Sequence, residues 1–108
     1  MKIKIFLKTR DGSCDAEAVY DGEKTIVLKG SKIRNKLSPS VRGGTFVRNF
    51  LNNSEYVSEE GIVKKDCIFN SPSIAAMFVN GNASNGYKVW KVKKNKDLGT
   101  YLAEKGLR

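Results

Sequence analysis

Lysine, arginine and serine are the residue types with chemistry to offer in this chain, because histidine is absent and the two cysteines, Cys14 and Cys67, are far apart. Without imidazole the commonest general base and metal ligand is missing, and two thiols do not make a four-ligand zinc site. Ser31 beside Lys29 and Lys32 has the form of a Ser/Lys nucleophile pair, but such neighbours arise freely in a basic sequence. No D…(D/E)-x-K set, GIY or YIG segment or H-N-H run is encoded. The chain is therefore expected not to be an enzyme, and no cofactor or metal is expected.

What it has instead is positive charge: 20 lysines and arginines against 11 acids, a net +9. From residue 24 to residue 54 the sequence holds Lys24, Lys29, Lys32, Arg34, Lys36, Arg42 and Arg48 and no acid; from 67 to 96 it holds Lys88, Lys91, Lys93, Lys94 and Lys96 and again no acid. Two such fields attract polyanions, of which nucleic acid is the commonest in a cytosol, although a lysine-rich surface also serves solubility. KGSK (29–32) lacks the paired glycines and following helix of a nucleotide-binding P-loop. Its lysines and its Gly-Ser backbone nevertheless combine charge with N–H donors, as DNA phosphates require. The alternative is a strand end whose lysines are merely solvated.

Ser71 and Ser73 flank Pro72 at a helix start. Free N–H groups and the positive end of the helix dipole make that an anion site, or the serine simply caps the helix. Tyr87 and Trp90, with Asn85 before them and Lys88, Lys91, Lys93 and Lys94 around them, either stack on a base or fill the core.

These residues need elements to hold them. Ile3, Ile5 and Leu7 alternate with Lys2, Lys4 and Lys8, a strand with one buried face and with Phe6 on the outer face or in a second contact. Ala16–Tyr20 and Thr25–Leu28 are two more strands joined by the Asp21-Gly22 turn, and 29–44 is a basic loop. Phe46, Val47, Phe50 and Leu51 mark a helix from about Val41 or Thr45 to Asn53, leaving Arg42, Arg48, Asn49 and Asn52 outside. Tyr56-Val57 and Ile62-Val63 flank SEEG as a hairpin. A helix capped by Ser71 and ended by Gly81 follows, then an Asn85-Gly86 turn and a last strand, Tyr87–Val92. Leu98–Leu102 closes the core as a short helix or strand. The prediction is one α+β domain over residues 1–108: a small antiparallel sheet with two short helices on one face. No apolar run nears the length of a membrane span, and MKIKIFLKTRDG is no signal peptide, so a cytoplasmic protein with reduced thiols is expected.

VLKGSKI (27–33), DCIFNSPSIAAMFVNG (66–81) and NGYKVWK (85–91) together resemble a bacterial and archaeal domain of unknown function often appended to GIY-YIG nucleases and restriction-modification proteins. The chain is also similar to the RAMA domain, found with restriction enzymes and adenine methylases. Tyr87 stands where tryptophan is common in those relatives. The resemblance implies an accessory role directed at DNA, with a nuclease or methylase partner, and supplies no activity. The expected function is a non-catalytic DNA-binding module that senses modified bases; the alternative is a protein-interaction module without nucleic-acid contact.

Overall fold

The lysine–apolar alternation at the start becomes β1 (Ile3–Lys8), in which Ile5 and Leu7 are buried, Lys4 and Lys8 are exposed and Phe6 is half-buried on the outer side. The computed structural model describes residues 2–35 and 45–107, with the side chains of Thr45 and Phe46 outside that description. β2 (Asp15–Tyr20) runs antiparallel to β1, pairing Ile5 with Ala18 and Phe6 with Glu17. After the Asp21-Gly22 turn, β3 (Thr25–Val27) pairs back on β2, and β4 (Cys67–Phe69) pairs on β3. α1 (Thr45–Leu51) lies between β3 and β4 in sequence. Then come α2 (Pro72–Asn80), α3 (Gly86–Val89), β5 (Lys91–Lys93), β6 (Lys96–Asp97) and α4 (Leu98–Glu104).

The six strands form one antiparallel sheet in the order β4-β3-β2-β1-β5-β6, so the α+β reading holds. Among the described residues there are four short helices instead of the two expected. Their buried residues, such as Phe78, Val79 and Leu102, join Ile5, Ala18, Val27 and Phe69 in one core against the inner sheet face. The opposite face bears Lys4, Phe6, Val19, Ile26 and Ile68, and none of these is buried among the described residues. None of the described helices is long and apolar enough to cross a membrane. Cys14 and Cys67 are buried free thiols.

Two local expectations are corrected. Tyr87–Val92 is not a strand: the Asn85 side chain accepts from the Tyr87 N–H at 3.0 Å and opens α3, and only after Trp90 does the chain extend. The short hairpin around SEEG is present: Val57 and Val63 form an antiparallel bridge, the Ser58 N–H donates to the Ile62 carbonyl at 2.9 Å and the Lys64 N–H to the Tyr56 carbonyl at 2.7 Å. The helix before it ends at Leu51, short of Asn53, and the proposed start at Val41 lies outside the described residues.

Candidate nucleic-acid interface

The Ser71-Pro72-Ser73 helix start is already occupied by the protein itself. Ser71 Oγ accepts from the Ile74 N–H at 3.1 Å, the N-cap bond that opens α2. Ser73 Oγ accepts from the Gly86 N–H at 3.0 Å, and the Pro72 carbonyl accepts from Trp90 Nε1 at 3.0 Å. Gly86 presses so closely on this turn that a Cβ there would stand 2.2 Å from the Pro72 carbonyl carbon and 2.3 Å from Ser73 N. Both serine hydroxyls are thus used by the fold, Ser71 as the cap of α2 and Ser73 as the acceptor that holds Gly86. Trp90 is fully buried, which removes it from any contact with a base. Asn85 is spent on capping α3, and Tyr87 is half-buried, edge-on to Tyr20 at 6.4 Å between ring centroids.

KGSK is closed in the same way. The Lys29 N–H donates to Asp66 Oδ1 at 2.8 Å, Gly30 to the Val63 carbonyl at 2.8 Å, Ser31 to that of Leu28 at 3.2 Å and Lys32 to that of Asp15 at 2.9 Å. The Ser31 hydroxyl is buried and exchanges two bonds with the Glu17 backbone, at 3.0 and 3.1 Å. No N–H of the run is left for a phosphate, contrary to expectation. The hollow of about 270 Å³ beside it is lined by Asp15 and Glu17 as well as Lys29, which repels anions.

Arg34 donates to Ser13 Oγ at 3.1 Å and sits near enough to Asp11 to help hold that carboxyl below its usual range, a shift led by the Ser13 N–H. Arg48 is exposed on α1. Lys36 and Arg42 lie outside the described residues.

Cations do converge elsewhere. The antiparallel pairing of Phe6 with Lys91 puts both on the outer sheet face, because opposed residues share a face. Around them opens a groove of about 630 Å³ with Phe6, Val89 and Val92 as its floor and Lys8, Lys91, Lys93 and Lys94 as its rim. Among the described residues no carboxylate lines it. A concave site with one sign of charge and low-dielectric walls concentrates field and draws counter-ions. Lys8 lies 3.8 Å from Asp15 and Lys4 3.3 Å from Glu17, both solvent-exposed pairs of the kind worth about 0–1 kcal/mol, so a phosphate can replace either partner. Among the described residues Lys93 and Lys94 are in no ion pair. Lys91 donates to the Lys88 carbonyl at 2.9 Å. Asp97, opposite Lys91, is committed to capping α4 through the Thr100 N–H at 2.7 Å.

Of the predicted residues, Lys91 lines this groove and Lys88 adjoins it through the Lys91 hydrogen bond. Phe6 and Lys8 were absent from the predicted set. The β1 alternation carries their signal, an aromatic on the lysine side of a strand, but their meeting with β5 is a tertiary fact.

No curated protein and no solved structure matches this chain. A family model does match, over residues 5–102, which runs from within β1 into α4 and contains the helix-start clamp, the KGSK turn and every residue that lines the groove. The chain thus belongs to the family described as a domain of unknown function, DUF4357.

Proposed function

We propose that this protein is a non-catalytic DNA-binding accessory module. The observation that supports this best is the groove between β1 and β5, whose lining offers four ammonium groups and an apolar floor with no carboxylate, thiol or imidazole. Such a lining suits holding a polyanion and lacks the groups that cut one. The resemblance to domains that accompany restriction enzymes and methylases supports a defence context, a partner that performs the chemistry and an interest in modified bases.

Titration of labelled oligonucleotides at several salt concentrations tests the reading. Neutralising about four phosphates predicts a log–log salt slope of about −3 to −4. Lys93→Glu/Lys94→Glu is expected to weaken binding at least tenfold and to make the slope shallower by about 2, whereas Lys29→Glu/Lys32→Glu, set among carboxylates, changes little. Weak binding indifferent to salt refutes DNA binding; equal losses from the two double variants move it away from the groove.

One observation favours the protein-interaction alternative. Val19, Ile26 and Ile68 are cross-strand neighbours on the outer sheet face, and Ile68 is 55% exposed among the described residues. A nuclease-resistant protein partner lost on Ile68→Lys would establish that role.

A further inference from the structure

We infer that the groove takes an unpaired nucleobase stacked on Phe6, so that its ligand is single-stranded or locally opened nucleic acid instead of a closed duplex. The inference rests on the groove being a nucleic-acid site, as proposed above. A phosphate gains nothing from an aromatic ring, and in a duplex the base faces are stacked on one another and out of reach. Only an unpaired base presents a flat face to a floor made of Phe6, Val89 and Val92.

The surroundings of Phe6 fit a strand more than an isolated ring. Along β1 the outward positions run Lys4, Phe6, Lys8, placing cations on both sides of the ring about 13 Å apart along the strand. A base on the ring thereby has an ammonium group on each side, and its flanking phosphates would have to displace Glu17, which lies opposite Phe6, and Asp15 from their exposed pairs with Lys4 and Lys8. Lys4 Nζ lies 5.9 Å from the Phe6 centroid, an exposed contact that a base can displace. Beyond the shared residues Val92 and Lys93 the surface dips again into a hollow of about 240 Å³. Tyr101 lines that hollow, with Lys105 Nζ 5.6 Å from its ring, giving a second aromatic station further along. Glu104, also there, is held by Lys96.

DNA and RNA single strands share this chemistry, so the test includes both. Fluorescence anisotropy on the full chain compares a 12-mer of thymidylate, a 12-mer of uridylate, a 12-base-pair duplex and a 12-mer of abasic spacer with the same phosphates and no bases. The expected result is that one or both single strands bind at least tenfold more tightly than abasic strand and duplex. Phe6→Ala and the bulkier Phe6→Leu both reduce single-strand affinity to the abasic level without changing abasic binding, and Phe6→Trp preserves the preference. Leucine keeps the apolar volume should alanine disturb the sheet. Equal affinity for abasic and base-bearing strands, or a preference that survives Phe6→Leu, overturns the inference. If that happens while binding stays salt-dependent and sensitive to Lys93→Glu/Lys94→Glu, the groove reading survives alone. Loss of all salt-dependent binding defeats both.

Discussion

An alanine at position 86 would drive its methyl into backbone atoms of Pro72 and Ser73, which cannot swing aside as a long side chain can. Gly86→Ala is expected to cost about 3 kcal/mol, and Ser71→Ala, which removes one cap bond, about 1 kcal/mol. Urea-denaturation midpoints measure both. Thr25 points in the opposite direction: its hydroxyl is buried in β3 and, among the described residues, has no hydrogen-bond partner. Thr25→Val keeps the shape and removes an unsatisfied polar group, so the same measurement should show stability unchanged or raised by about 1 kcal/mol. At this scale local chemistry was legible. Ser71, Pro72 and Gly81 act on neighbours within one helical turn, and Gly81 adopts the left-handed φ of 79° that a helix stop requires. Trp90 was ambiguous because its partner, the Pro72 carbonyl, is on another element.

Strands with a buried side and a wet side announce themselves by alternation, and β1 and β2 fall where the pattern places them. α3 was missed because Asn-Gly also favours a hairpin; the Gly86 bond to Ser73, invisible in sequence, turns the chain inward instead. Capping of turns and helices also sets the acid response. Backbone N–H groups of Ser13, of Lys24 and Glu23, and of Thr100 hold the Asp11, Asp21 and Asp97 carboxyls below the usual range. Depressed folded-state values mean that this stabilisation is complete above the unfolded carboxylate value near 4 and is lost as pH falls below it toward the lower folded values. Stability followed from pH 7 to pH 2 should therefore decline only below about pH 4. Asp97→Asn, which retains a capping oxygen, should make that decline less steep.

For the molecule as a whole, net charge was readable and its arrangement was not. Asp15, Glu17 and Asp66 come from other segments to surround KGSK, while the β1–β5 pairing collects lysines that are distant in the chain. Both thiols are in the core, and burial, with Asp66 adding to it, pushes Cys67 up to about 12. Neither cysteine should react with a thiol reagent at pH 8 until denaturant is added.

β1 joins β2 through six residue pairs and β5 through one, Phe6 with Lys91. The sheet thus has a seam, and the groove straddles it. Whatever fills the groove touches both banks and staples them, so occupancy should slow amide hydrogen exchange in β5 and β6 more than in β2 and β3.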